Sequence, residues 1–430
     1  MGGAVRDILI QREGHDFDLI CDFDTRIIAR AFADRQKGAY YPLDAERNTS
    51  RVIVTEPSGQ RVFYDFARMQ GEALEVDLQR RDFTINAMAI DLEAPERIID
   101  PLGGAQDLKE KVLRMCSTGS FEQDPVRVIR AVRYAVALNL SLQTETLQKL
   151  KDAVPHLGGI SEERRRDELI KVLECHRADV GLRLLHRLEI LNALGLGLSD
   201  ELMEIAIRRT AALEAMIGEL EGIGNREATQ ALPMGTFLLR LGRFKEPILA
   251  YLHDRNSADR CRRTLDLVAA WFMDAPADDF VGKLEKLRLS NAEKTHLMQL
   301  LQTRELFSAM RAIPDRRQIY QFFKRAPIDG CFLWLAELQS VPAAERDAQK
   351  WLEALEKCEQ LIDAWCNHPE VISPLPLVNG KDLMHKFNLM PGRQVGQLLE
   401  ALQEEQAAGT VTTREEAFHW VQQELHCFTP

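Results

Sequence analysis

Two aspartates one residue apart, Asp16 and Asp18, stand in an apolar run made by Phe17, Leu19, Ile20 and Cys21. The run predicts a strand over 17–21. On a strand alternate side chains share a face, so both carboxylates point the same way, about 7 Å apart along the chain. Such a pair can hold a hard divalent cation such as Mg²⁺, which also takes phosphate oxygens as ligands. Just upstream, Gly2 and Gly3 open a stretch with helical character from Val5 to Ile10. Glycines there let a triphosphate approach backbone N–H groups at a helix N-terminus, where the dipole favours negative charge. A phosphate cradle beside a metal pair points to nucleotidyl transfer. A glycine turn beside solvated acids is the plainer alternative.

Further groups with chemistry follow. Asp65 lies among Phe63, Tyr64 and Phe66, where an unpaired carboxylate is costly to bury. A third acid facing Asp16 and Asp18, able to act as general base, would account for it; a strand-edge Asp facing water is the alternative. Arg80, Arg81, Asp82 and Asn86 form a corner suited to phosphate or ribose, since guanidinium forks match phosphate oxygens. A charged loop capping a helix reads equally well. Gly103 and Gly104 mark a turn. Asp124, followed by Pro125, opens a helix, either as an ordinary N-cap or as half of a pair with Arg127. Three positions apart, the two are helical neighbours. One accepts and the other donates hydrogen bonds, as reading a base edge requires. Arg127, Arg130 and Arg133 form a basic stripe, or simply a solvated face.

These groups need elements to hold them. Helices are expected near 4–12 and 25–36. Strands are expected at 17–21, 51–55, 61–67 and 86–92, with a hairpin turn at Pro57, Ser58 and Gly59. After about residue 120 apolar positions recur at helical spacing and β-branched runs vanish, so 121–430 reads almost entirely as helix. Breaks are expected at 155–159, 222–226, 233–235, 275–276, 314, 327–330 and 369–376. At 430 residues, 45% apolar and 28% charged, the chain has the composition of a multidomain soluble protein. No apolar run reaches the roughly 18 residues of a membrane span, so no membrane partner is expected. The eight cysteines form no CxxC pair, which argues against disulfide scaffolding and a zinc site. Net charge is −11, yet local basic runs near 126–133, 164–166 and 177–187 leave room for a nucleic-acid partner.

The order of blocks GGxVRD, DxD, DLxRRDFTINAMA, DPxGGxxDL and FxxDPxRxxRAxR closely resembles the class II tRNA nucleotidyltransferase and bacterial poly(A) polymerase family, within the polymerase β-like superfamily. The likeness runs from residue 1 to about 175, through Ser161, Glu162, Glu163, Arg164 and Glu168. It returns at 376–417 with Asn379, Gly380, Lys381 and Asp382, then Met390, Pro391 and Gly392, then Thr412, Thr413, Arg414 and Glu416. It implies an α+β chain: a small mixed nucleotidyltransferase head (1–118), then an all-α neck (119–180), body (181–370) and tail (371–430).

The resemblance also implies roles. Gly2, Gly3 and Arg6 would lie near the triphosphate, with Asp7 in the same head motif. Asp16 and Asp18 would carry Mg²⁺, and Asp65 matches a third acidic position. Arg80, Arg81, Asp82 and Asn86 would contact phosphate and ribose. Asp124 and Arg127, with Arg130 behind them, would read the incoming base without a template. The implied activity is addition of C and A from CTP and ATP to the 3′ end of tRNA in the cytoplasm, with no DNA partner. CC-only, A-only or poly(A) addition would use the same residues, and a catalytically impaired RNA-binding protein is the alternative of another class.

Four departures bear on this. Relatives carry an apolar strand before the glycine pair, so a late assigned start or a truncation is expected. Gln123 replaces the usual Glu. The segment between Asp65 and Asp77 is short, a feature associated with CC-adding enzymes. Met273 precedes Asp274 where an HD phosphohydrolase helix would have His, and the dipeptide His253, Asp254 has no further histidines around it, so no hydrolytic metal site is expected.

Overall fold

The structure, a computed structural model, describes residues 1–430 except 45, 47, 70–72, 224–231, 257–258 and 428–430. It divides into two compact units. The first comprises Met1–Cys175 and Gly181–Gly197, the second His176–Val180 and Leu198–Pro430.

The first unit is built on a four-stranded sheet: β1 (Asp16–Cys21), β2 (Ala39–Asp44), β3 (Thr49–Thr55) and β4 (Arg61–Arg68), in the order β1-β4-β3-β2. β2, β3 and β4 form an antiparallel meander, and β1 joins β4 in parallel. The expected hairpin is present: Glu56 and Gln60 close the turn over Pro57 and Ser58. Strand β2 had no counterpart in the sequence reading. It contains Pro42 and lies at the end of the sheet order, where a missing N–H costs least.

Alternation divides the sheet into two faces. Val52 and Phe66, with Leu19, Val54 and Tyr64, pack under the helix α2 (Thr25–Gln36) through Ala29, Ala33 and Phe32. The opposite face carries Asp16 and Asp18 from β1, Asp65 from β4 and Arg51 from β3. Register puts Asp18 opposite Asp65 and Asp65 opposite Arg51, so the three stand in one row across neighbouring strands.

The helix α1 (Gly3–Leu9) begins at Gly2, whose φ of 68° favours glycine. It is shorter than the expected 4–12, because Gln11 already turns to φ 54°. The expected strand at 86–92 shrinks to Ala89–Ile90, paired with Ile98–Ile99. Thr84–Asn86 is instead a 3₁₀ turn, because the Asn86 side chain is drawn back to Asp82. The glycine pair at 103–104 has a steric cause: a Cβ on Gly104 would lie 2.1 Å from the Thr84 carbonyl oxygen. That contact pins the 84–86 turn.

The second unit is helical. Its longest helix, Asp200–Glu221, buries Arg209, which donates to the Ala270 carbonyl at 3.0 Å and to Asp274. Asp274 also accepts from Arg304 at 2.8 Å, and His253 lies 3.0 Å from Glu221. The break at 222–226 enters residues 224–231, outside the described residues; the break expected at 233–235 is absent, because the helix Leu232–Leu241 runs through it with Pro233 in its first turn, where a missing N–H is tolerated. The helices Gly380–Phe387, Arg393–Ala408 and Arg414–Cys427 close around Val378, Leu383, Leu398, Leu402 and Val421. The tail motif at Asn379 is a capping box: its side chain accepts from the Asp382 amide, and Asp382 answers on the Asn379 amide. Among the described residues no helix is long and apolar enough to cross a membrane.

Candidate active site

A cavity of about 640 Å³ opens in the first unit. Of the residues singled out from sequence, Gly3, Arg6, Asp16, Asp18, Arg80, Arg81, Asp82, Asn86, Asp124, Arg127 and Arg130 line it; Gly2 and Asp65 do not. Gly2 lies just beneath: a Cβ there would come within 3.2 Å of both Asp18 Oδ2 and Arg81 Nη1. Asp18 is held above the ordinary carboxylate range by burial, against the pull of Arg81. Among the described residues neither Asp16 nor Asp18 is closed in an ion pair, so both remain open as oxygen ligands and suit a hard divalent cation. Asp65 differs. Arg51 clamps both of its oxygens at 2.7 Å.

The cavity wall is a braced network. Burial would lift Asp82, but Arg130 and Asn86 hold its carboxyl below the ordinary range. Arg130 reaches Asp82 Oδ2 through Nε at 2.9 Å and Nη2 at 2.7 Å, and Phe83 donates its amide to Oδ1. Asn86 donates to Asp82 and accepts from Arg6 at 2.6 Å, so the head motif and the arginine corner share one chain of hydrogen bonds. Glu168 accepts from Arg130 at 3.3 Å and pairs with Arg133 at 3.0 Å. The ring of Tyr134 lies under Arg6, Arg130 and Arg133, with Arg133 at 4.7 Å from its centroid.

The helix expected to start at Asp124 starts at Arg127. Asp124 sits before it in extended backbone (φ −150°, ψ 93°), because Pro125 disfavours helical dihedrals in the preceding residue. Asp124 and Arg127 are therefore not neighbours on one helix turn. Asp124 accepts from Arg164 Nη2 at 2.8 Å on Oδ2 and, as an N-cap would, from the Val126 amide at 3.4 Å on Oδ1. Arg127 donates to the Ser120 hydroxyl at 2.7 Å and to the carbonyls of Arg80 and Arg81 at 3.0 and 3.4 Å. The arginine stripe is not a solvated face; all three members are tied to protein acceptors. Residues the sequence reading did not assign also line the cavity: Tyr134, Asp167 and Lys171. Tyr134 lies four positions after Arg130 on the same helix, a spacing that could have revealed it.

Profiles described as the poly(A) polymerase head domain, a probable RNA- and SrmB-binding site of polymerase A, and tRNA nucleotidyltransferase domain 2 match residues 1–114, 139–202 and 267–421. A CC-adding tRNA nucleotidyltransferase of Geobacter sulfurreducens is 31% identical over 419 residues, covering 97% of this chain and 89% of that one. This chain belongs to the class II tRNA nucleotidyltransferase family. An A-adding member from Deinococcus radiodurans is also 31% identical, over 98% of this chain and 94% of its own length. A solved CCA-adding enzyme in complex with ATP shares the fold, with a TM-score of 0.65 and 21% identity over 99% of this chain and 90% of that one. The α+β architecture of this nucleotidyltransferase is thus the family's own. Enzymes of the family work with divalent metal ions.

Proposed function

We propose that this nucleotidyltransferase adds C and A, without a template, to the 3′ end of tRNA from CTP and ATP, in the cytoplasm. The observation that carries this is the unpaired Asp16 and Asp18 on one wall of a cavity whose other walls are Arg6, Arg80, Arg81 and Arg127. Acids that ligate a cation thus face cations that ligate phosphate.

Asp16 and Asp18 would hold Mg²⁺, which would neutralise charge developing in the phosphoryl displacement. Gly2 and Gly3 keep the start of α1 free of side chains, so backbone N–H groups and Arg6 can meet the triphosphate. Arg80 and Arg81 bind its phosphates. Asp82 and Asn86 orient Arg6 and Arg130, and meet the ribose in this reading. The tRNA 3′-hydroxyl oxygen bonds to the α-phosphorus as the bond to pyrophosphate breaks. Asp65 can take the hydroxyl proton only once Arg51 releases it. Asp124, with Arg164 bound to it, carries base choice, and Arg127 braces the phosphate corner through the Arg80 and Arg81 carbonyls.

CC-only addition is the second reading. The short segment after Asp65 and the full-length likeness to a CC-adding relative favour it; the centre of that segment, 70–72, lies outside the described residues. The test is incubation with tRNA lacking CCA, labelled CTP or ATP, and Mg²⁺, followed by product sizing. Two added C and no A would select the second reading. No incorporation with tRNA still bound would leave only RNA binding.

A further inference from the structure

In the second unit three side chains converge that nucleotidyl transfer does not use. Asp266 on the Arg262–Phe272 helix, His296 on the Asn291–Ala309 helix and Asp329 at the start of the Gly330–Ser340 helix each bring one ligand atom within 4.8 Å of the others. Both aspartates are fully buried, at 0% exposure. A buried carboxylate ordinarily collects donors. Here no donor group of the described residues bonds either carboxylate, and the two carboxyl groups lie against each other.

Asp329 makes the point most clearly. It occupies a helix N-cap, where Asp usually accepts from a first-turn amide, yet it makes no cap. Its carboxylate lies with Asp266 and His296 instead. His296 Nε2 sits 2.9 Å from Asp329 Oδ2 without the alignment of a hydrogen bond. The Arg262 guanidinium does not close the gap: it lies over the Tyr251 ring at 4.4 Å and donates to Asp254 at 3.2 Å. Met273 and Asp274 are no part of the cluster, since Asp274 is taken by Arg209 and Arg304.

We propose that Asp266, His296 and Asp329 bind a divalent transition-metal ion of the zinc class. One imidazole and two carboxylates are a donor set for such an ion, whereas Mg²⁺ and Ca²⁺ favour oxygen alone. Ligands at about 2.1 Å from a tetrahedral ion stand roughly 3.4 Å apart, so small side-chain rotations close this cluster on it. The backbone is set for that. Gly330 lets the turn bearing Asp329 press on the His296 helix, where a Cβ would come 2.5 Å from Thr303 Oγ1. The ion cross-links three helices and neutralises two buried carboxylates. The absence of a CxxC pair therefore does not exclude zinc from this chain.

The test uses the full chain carrying Asp16→Asn and Asp18→Asn, which removes the carboxylates assigned to Mg²⁺. The protein is loaded with Zn²⁺, dialysed, and measured by mass spectrometry for metal and by thermal unfolding. The expected result is one tightly held zinc per chain and a zinc-dependent rise in Tm, both lost on adding His296→Gln or Asp266→Asn. Should those variants fail to fold, Co²⁺ added to the parent gives the intense visible bands of a tetrahedral nitrogen–oxygen site. Retention of no zinc by the parent, or the same zinc content in folded His296→Gln, overturns the proposal. So does an Asp266→Asn variant that is stabilised while Zn²⁺ leaves the parent's Tm unchanged, which would make the cluster a proton-sharing pair.

Discussion

Arg51 grips both carboxylate oxygens of Asp65 at 2.7 Å, one strand away from Asp18. The pair is a built-in restraint on the acid nearest the proposed metal ligands. If Asp65 takes the 3′-hydroxyl proton, Asp65→Asn lowers kcat by about 10²- to 10³-fold and flattens the acid limb of the pH–rate profile. If Asp65 only fixes the sheet row, Asp65→Asn and Arg51→Met both lower stability and leave the shape of that profile unchanged. Single-turnover rates from pH 5 to 9 separate the two.

Asp16→Asn or Asp18→Asn removes one of the two carboxylates proposed to ligate the cation. Incorporation should fall by about 10³-fold or more, with tRNA affinity within a few-fold of wild type. Filter binding alongside a primer-extension assay checks both halves. A near-normal rate would remove Asp16 and Asp18 from the chemistry.

Arg127 and Arg164 contribute differently. Arg127 donates to the carbonyls of Arg80 and Arg81, so Arg127→Ala should loosen the phosphate corner and lower kcat for CTP and ATP alike. Arg164 pairs with Asp124 while itself 56% exposed, so Arg164→Ala should shift the CTP/ATP ratio of kcat/KM with little loss of stability. The opposite pattern, with selectivity lost only in Arg127→Ala, would return base reading to Asp124 and Arg127.

How much of this was legible follows from where each contact partner lies in the chain. Asp16 and Asp18 were readable because alternation on a strand is local. The corner at Arg80, Arg81, Asp82 and Asn86 was readable as one cluster for the same reason. Arg127 stands on the expected helix, but its ties to the Arg80 and Arg81 carbonyls were not legible, because distant backbone acceptors carry no residue-type signal. Asp124 keeps an N-cap contact, to the Val126 amide, that its place before Pro125 suggests, but its partner Arg164 lies 40 residues downstream, beyond any local pattern. Strand β2 was missed because Pro42 suppresses the strand pattern while an edge position tolerates it. The Asp266, His296 and Asp329 cluster draws on three separate helices, so no motif spacing announces it.

Asp82 and Arg130 form a largely buried ion pair of the cavity wall, with side chains 8% and 30% exposed. Asp82→Ala leaves Arg130 without its main partner and should cost roughly 3 kcal/mol, as for removal of one member of a buried pair. Because Asp82 is held below its ordinary 3.8, its stabilising effect is complete above that value and is lost as pH falls through the lowered one. Urea unfolding at pH 7 and pH 3 should therefore show a smaller difference between wild type and Asp82→Ala at the lower pH.

Glu214 has the opposite sign. Burial raises it to about 7 although Arg263 and the amides of Ala178 and Asp179 stand 3.1–3.3 Å away. A raised carboxylate contributes stability that is full below the ordinary 4.5 and is lost as pH rises through about 7. Glu214→Gln should therefore weaken the fall in the urea midpoint between pH 5 and pH 8. Identical slopes in both proteins would show that Glu214 titrates normally.

The parallel seating of β1 on β4 has a consequence for the order of assembly. The β2–β3–β4 meander forms through short turns, whereas β1 must close a long excursion through α2 before Asp16 meets Phe63. Closure of that loop costs chain entropy that only the finished meander can offset. The carboxylates proposed to ligate the metal therefore reach their row last, and amide hydrogens of β1 should become protected after those of β3 in pulsed exchange during refolding. A partly folded chain would hold a hairpin sheet but no acidic pair, so catalytic competence marks the end of folding of the first unit.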